Sequence, residues 1–401
     1  MLTNPKILHL ASDDKFIDQA APVFERAFPG KNYILVFSNS STLRYVKLRP
    51  NKVIVTSFSF LGRPKVKKSF FKNYDLVVFH SLGNLLYPEI YNIPKDIPIV
   101  WLGWGYDYYD LIDDPNNFLM NKTRELSDNM RTFTLRSYFR KFLRCGSKFF
   151  GIAKSRKTAI ERVSLFSPVL ENEYNLVKNS AKWNEFPHEA RWNYGTIEDH
   201  LVKGFEDQQV ESNNILVGNS ASFTSNHIEI LHLLKKQRVN SRRVIVPLSY
   251  GDRKYALKVV EVGEKLFDKS FKPLMDFMPI DLYVRKIKQC GYVIMNHKRQ
   301  QAVGNIVIML YLGARVFLRE ENPAYSFLKG IGVELSSIQQ LEVHSYLLDT
   351  PLSENQREKN KQLVSDYWSR ERGISRAKAL VIQALDCKNS TNGFITESES
   401  N

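Results

Sequence analysis

The 401 residues, 43% hydrophobic and 12% aromatic, can bury two cores and belong to a globular chain of two or three domains. Fifty-seven Lys and Arg against 42 Asp and Glu leave a formal charge of +15, which implies an anionic partner: nucleic acid, a phosphorylated small molecule or an acidic lipid surface. Cys145, Cys290 and Cys387 are too far apart for a CxxC site or a disulfide framework, and no stretch approaches the roughly 18 consecutive apolar residues of a spanning helix.

The apolar run near the start is too short for a signal-peptide core and reads as a first strand, residues 6–10. A helix follows over 16–28, then strands over 33–37, 53–56, 76–79 and 98–102, an alternation that predicts a parallel sheet covered by helices. In such sheets ligands bind beyond the carboxyl ends of the strands, so the turns to watch hold Asp13 and Asp14, His80, and the run WLGWGYDYYD with Trp104, Tyr106 and Asp107. Either aspartate also suits a helix cap, and His80 also suits a core. Two Trp and three Tyr interleaved with Gly and Asp fit stacking on a sugar ring, or an aromatic seam between domains.

Residues 131–157 place Phe139 and Phe142 at helical spacing among Arg136, Arg140, Lys141 and Arg144. A basic helix with an aromatic face suits an anionic membrane surface, and equally a core-facing helix with a solvated basic side. From 171 to 209 the pattern turns polar and Asn-rich, which reads as a connecting segment.

The second half opens on ILVGNSASFTSNHIE, a buried strand running into Gly218, Asn219, Ser220 and Ser222, with Ser225 or Asn226 as the cap of the next helix. A turn of this kind can cradle phosphate, and it can also be an ordinary strand-to-helix turn. A strand over 243–248 ends at Tyr250, a short one covers 271–275 near Phe277, and another over 291–295 leads to Lys298, Arg299, Gln300, Gln301, Gly304 and Asn305 ahead of a helix. Fixed cations at a helix start make a second anion site. The strand over 314–318 ends in Glu320, Glu321 and Asn322, acids placed for ribose or sugar hydroxyls. The absence of GxGxxG, GK[ST] and zinc-finger or RNP-like patterns argues against a nicotinamide enzyme, a Walker loop and a nucleic-acid partner.

ILVGNS with SNHIE, VIVPLSYG, RQQAVGN and REENPAY, in this order, resemble the bacterial TDP-4-acetamido-4,6-dideoxygalactose (Fuc4NAc) transferases, glycosyltransferase family 56; VVFHSL and WLGWGYDYYDL extend the likeness. The resemblance implies a GT-B architecture, two Rossmann-like domains with a cleft between them. It also implies metal-independent transfer of a deoxyamino sugar from a TDP-sugar, with no cofactor, to an undecaprenyl-diphosphate-linked saccharide at the cytoplasmic face of the bacterial inner membrane. Two departures stand out: a charged turn after GNS is replaced by Ala221 to Asn226, and a histidine two residues ahead of the Trp-Gly-Ala-Asp segment is absent before Asp107. The expected organisation is an acceptor and membrane-facing domain over 1–190, a linker over 191–213, a nucleotide-sugar domain over 214–350, helices packing back over 351–387, and a disordered tail over 388–401. Asp107, then His80, then Asp13 are the expected bases, Tyr250 and Phe277 the base-holding residues, Trp104 and Tyr106 the acceptor contacts. A non-catalytic basic adaptor and another two-domain nucleotide-sugar enzyme, such as an epimerase, are the alternatives.

Overall fold

The computed structural model describes residues 4–40, 42–47, 53–57, 64–130, 155–239 and 242–397. They form two units, and neither is continuous in sequence. The first holds the described residues up to Asp113, those to Thr196 after the 114–132 excursion, and those from Arg370 onward; the second holds that excursion and Ile197–Ser369.

The first unit is built on seven parallel strands in the order β3-β2-β1-β4-β5-β6-β7: β1 (Ile7–Ser12), β2 (Asn32–Phe37), β3 (Val53–Thr56), β4 (Leu76–His80), β5 (Ile99–Leu102), β6 (Leu165–Ser167) and β7 (His188–Glu189). β1 and β4 to β6 are almost wholly buried runs, as strands covered on both faces must be. β6 and β7 lie in sequence without strand periodicity, and three and two residues are too few to show it. Helix α1 (Phe16–Ala27) buries Ala20, Val23, Phe24 and Ala27, a stripe at i, i+3, i+4 and i+7. The final helix, Arg370–Glu397, lays Ala377, Leu380, Val381, Ala384 and Leu385 on it. That helix runs past Lys388, where composition predicted disorder.

The second unit carries six parallel strands in the order β10-β9-β8-β11-β12-β13: β8 (Ile215–Val217), β9 (Val244–Pro247), β10 (Phe271–Leu274), β11 (Tyr292–Met295), β12 (Arg315–Leu318) and β13 (Ser336–Ser337). Its helices are α2 (Asn121–Met130), α3 (His227–Lys236), α4 (Arg253–Phe267), α5 (Ile280–Ile287), α6 (Val303–Tyr311), α7 (Pro323–Gly330), α8 (Ile338–Val343) and α9 (Glu354–Tyr367). Residues 114–130 were expected in the first domain. They pack instead on α3, where Glu229 accepts the Thr123 amide at 2.8 Å and hydroxyl at 2.6 Å.

Each sheet reverses its winding at its first strand, β1 in one and β8 in the other, and in each unit by itself the loops beyond the carboxyl ends of that strand and its neighbours are the natural place for a ligand.

Candidate functional site

β8 and β11 are adjacent and in register, Tyr292 opposite Ile215, so the turns that leave them lie side by side. Gly218 begins the first turn at φ 66°, and a Cβ there would stand 2.6 Å from Nε2 of buried His227. Glycine is required on both counts. Its amide donates to the Ile294 carbonyl at 3.0 Å, whereas the Asn219 and Ser220 amides meet no acceptor among the described residues. Gly251, at φ 105°, lets the turn after β9 touch the same loop: the Ala221 amide donates to Tyr250 O at 2.6 Å and the Asp252 amide to Ala221 O at 2.9 Å. A Cβ on Gly251 would fall 2.4 Å from Ala221 O.

Gln301 joins the β8 and β11 turns. Its Nε2 donates to Asn219 Oδ1 at 2.9 Å and Ser220 Oγ at 3.4 Å, and its Oε1 accepts the Thr224 hydroxyl at 2.7 Å, which also pairs with Ser222 Oγ at 2.8 Å. Beyond it, Ala302 in the left-handed region caps α6, whose first bond is Ile306 N to Ala302 O. The first-turn amides of α6 thus open at the same loops, with Lys298 and Arg299 half exposed just before them and Gln300 buried. Gly304 is exposed on that turn, while Asn305 commits its Nδ2 to Tyr283 OH at 2.9 Å. The two turns thus bring open amides and short hydroxyls together, with two cations next to them in the chain, a set that suits a diphosphate.

Beside it, Tyr250 and Phe277 are exposed and meet edge to face, ring centroids 5.6 Å apart at 89°. Glu320 and Glu321 are exposed at the end of β12, but Glu321 is held by Arg319 at 3.3 Å and by Gln339 Nε2 at 2.6 Å. Buried Arg319 also reaches Asn296 Oδ1 at 3.3 Å and Glu342 at 3.4 Å, a bracing role that nothing in the local sequence announces.

Two expected ligands are structural. Asn226 is fully buried in the left-handed region; its Nδ2 donates to the Phe118, Thr224 and Asn296 carbonyls, and its Oδ1 accepts the Met120 amide at 2.8 Å. That clamp closes the start of α3, so the helix expected to face phosphate does not. Asn322 caps α7 at the Ala324 amide and donates to His297 O at 3.1 Å. His297 itself, with Nε2 3.3 Å from Ser225 Oγ, is kept neutral by burial and then by the Arg299 charge.

In the first unit the three expected bases are also engaged. Asp107 is buried and accepts the Leu82 amide, the Trp101 indole and the Trp104 amide at 2.7 to 2.8 Å, so it shapes the loop; burial raises its pKa. His80 lies between His9 Nδ1 at 3.0 Å and Tyr194 OH at 2.8 Å. Asp13 accepts the amides of Arg44, Tyr45 and Val46. Asp14, next to it, accepts the Phe16 amide on Oδ1 at 3.1 Å, and the Lys15 amide also acts on its carboxyl. Trp104 and exposed Tyr106 stand 6.0 Å apart, and Trp104 also meets Phe16 at 5.2 Å and Tyr194 at 5.9 Å. Phe16 and Tyr194 have no motif around them and were missed. Arg136, Phe139, Arg140, Lys141, Phe142 and Arg144 lie outside the described residues.

A polar cavity of about 450 Å³, lined by Asn214, Gln237, Arg242 and Asp349 among others, sits at the opposite end of the second sheet and shares none of these groups.

Residues 187–345 match the family model described as 4-alpha-L-fucosyltransferase glycosyl transferase group 56. This span contains every second-unit motif from Ile215 to Tyr325. Among solved structures, trehalose 6-phosphate synthase from Burkholderia multivorans superposes with TM-score 0.61 at 9% identity, over 97% of this chain and 100% of that one. O-GlcNAc transferase from Thermobaculum terrenum gives 0.56 at 11% identity, over 97% and 69%. HepE from Anabaena in complex with UDP gives 0.50 at 11% identity, over 98% and 100%. At these identities the likeness is one of fold: two parallel Rossmann-like sheets of the GT-B type.

Proposed function

We propose, with the group 56 match over residues 187–345 and the GT-B fold as premise, that this protein is a glycosyltransferase. It moves a 4-acetamido-4,6-dideoxyhexose from a TDP-sugar to an undecaprenyl-diphosphate-linked saccharide, in surface-polysaccharide synthesis at the cytoplasmic face of a bacterial inner membrane.

The observation that carries the reading is Gln301, whose side chain ties the β8 and β11 turns together. As the bond from the anomeric carbon to the donor diphosphate breaks, negative charge grows on the departing phosphate. Arg299, Lys298, the Asn219 and Ser220 amides and the start of α6 stabilise that charge without a divalent ion. Tyr250 and Phe277 enclose the nucleobase, Glu320 accepts from a hydroxyl of the donor, and Trp104 with Tyr106 stacks on the acceptor sugar. A net charge of +15 draws the protein to an anionic membrane.

Thermal unfolding with TDP, UDP and GDP, each with and without EDTA, tests this. A rise with one nucleotide that survives EDTA is expected, largest for TDP. No rise with any of the three favours the non-catalytic adaptor, and a rise that EDTA abolishes removes metal-independence.

A further inference from the structure

The polar cavity of about 450 Å³ lies at the amino end of the second sheet, and its described wall belongs wholly to the second unit. Three segments meet there: the approach to β8, the stretch between α3 and β9, and the turn after α8. Several polar groups of the wall are spent on holding it. Gln237 donates to the Leu341 carbonyl, which ties the end of α3 to α8. Arg242 donates to the Leu348 carbonyl, pairs with Asp349 at 2.5 Å and lies over the Tyr292 ring at 5.2 Å.

Others are unspent. Among the described residues, the Asn213 side-chain amide, the Arg238 guanidinium and the Ser345 hydroxyl of this wall have no hydrogen-bond or ion-pair partner. Arg238 also stands at φ 53° where α3 ends. Helices often end on a residue in this conformation, most often glycine, because a Cβ is strained there. Here the strained position carries a long cation to the cavity instead, and strain of this kind marks a side chain with work to do. A smaller cavity of about 150 Å³ shares Asn213 and is lined by Arg357, whose Nε is buried with no acceptor among the described residues. The carboxylates of the two walls are already matched, Asp349 by Arg242 and Glu211 by Lys288 at 2.5 Å.

A guanidinium, an amide and a hydroxyl left without acceptors suit a phosphate, whose several oxygens can take all three. The cavity has the size of a small-molecule pocket and is far larger than one phosphate ion, so the phosphate has room for a body attached to it. Val239 and Leu348 are the apolar members of the described wall, which contains no aromatic ring, so a nucleobase would find nothing to stack on. A hydroxylated body finds the Asn213 amide, the Ser345 hydroxyl and the Asp349 carboxylate. We propose that this cavity is a binding site for a sugar phosphate, with Arg238 on the phosphate and Asn213, Ser345 and Asp349 on the hydroxyls. The site is distinct from the turns after β8 and β11 and does not rest on the transferase reading.

Calorimetric titration of the full chain with glucose 1-phosphate, glucose 6-phosphate, glucose and inorganic phosphate tests the proposal, in wild type, Arg238→Gly and Arg299→Ala. At least one of the two esters should bind about tenfold or more tightly than glucose or inorganic phosphate, as a charged hydrogen bond and added hydroxyl contacts together require. Arg238→Gly should weaken that binding about tenfold to 100-fold. Its unliganded unfolding temperature should not fall, because glycine relieves the left-handed strain, and this separates a lost contact from a damaged fold. Arg299→Ala should leave the ester affinity unchanged. Binding that Arg299→Ala removes and Arg238→Gly keeps belongs to the turns after β8 and β11 and overturns the proposal. Failure of both esters to bind overturns it too, as does inorganic phosphate binding as tightly as they do.

Discussion

Gly218 shows how a single residue serves both fold and site. Its positive φ turns the chain at the tip of β8, and its missing Cβ leaves room for His227, whose ring nitrogen would otherwise be 2.6 Å away. Gly218→Ala should therefore cost about 2 kcal/mol or more, from left-handed strain together with overpacking, as read from urea unfolding midpoints. Under the proposed reading Arg299 acts mainly on the ligand, while within the fold its guanidinium donates to the Gln300 carbonyl at 3.0 Å. Arg299→Ala should weaken nucleotide binding about tenfold to 100-fold in a titration while moving the unliganded unfolding temperature little, since a hydrogen bond to a charged group is worth about 1.5–3 kcal/mol. Asp107→Ala should show the reverse pattern, lost stability with nucleotide binding kept, because two buried donors and one half-buried one lose their acceptor. Equal losses of binding in the two variants would contradict this division. Residue type was legible where backbone geometry demands it, as at Gly218. It misled for Asn226, Asn322 and Asp107, because a short polar side chain after a strand looks the same whether it meets a ligand or its own backbone. Only the partners distinguish them.

At the scale of elements, strands β8, β9, β11 and β12 could be read almost to their ends, since parallel strands buried on both faces are unbroken apolar runs bounded by turn residues. Helix α6 starts at Val303, three residues before its apolar run, because Ala302 rather than a polar cap turns the chain into it. The clamp of residues 118–123 over α3 was not legible at all, as it depends on contacts more than a hundred residues apart. Burial also keeps four histidines neutral: His9 is lowered to about 4, His227 to about 3, and His80 and His297 well below their usual value. The unfolded chain protonates them below about pH 6.5 and the folded chain does not, so stability falls as pH drops from about 6.5 toward 4 for His9 and further for His227. Each fully neutral histidine contributes a slope on the order of 1.4 kcal/mol per pH unit. Asp14, Asp107 and Glu89, whose pKa values burial raises, oppose this, since the folded chain holds their protons more tightly. Urea unfolding near pH 7 and near pH 5.5 should show the drop, and His227→Gln should reduce its slope; a flat profile would mean these rings are charged in the fold.

For the whole molecule, the two-sheet plan was legible from the alternation of strands and helices, whereas the exchange of segments between the two halves was not. Net charge of +15 sets a further expectation. Vesicles containing anionic lipid should retain the protein at low salt and release it as salt approaches about 1 M, where the screening length shrinks to about 3 Å; neutral vesicles should not retain it. Retention unaffected by salt would point to apolar rather than electrostatic attachment.

The apolar stripe of α1, formed by Ala20, Val23, Phe24 and Ala27, is covered by residues that lie some 350 positions later, from Ala377 to Leu385. A nascent chain must therefore carry that stripe bare through nearly the whole of translation, and the first half can settle only after the second has emerged from the ribosome. Cutting the gene at the midpoint would yield neither half intact: each fragment would lack a piece that the other encodes.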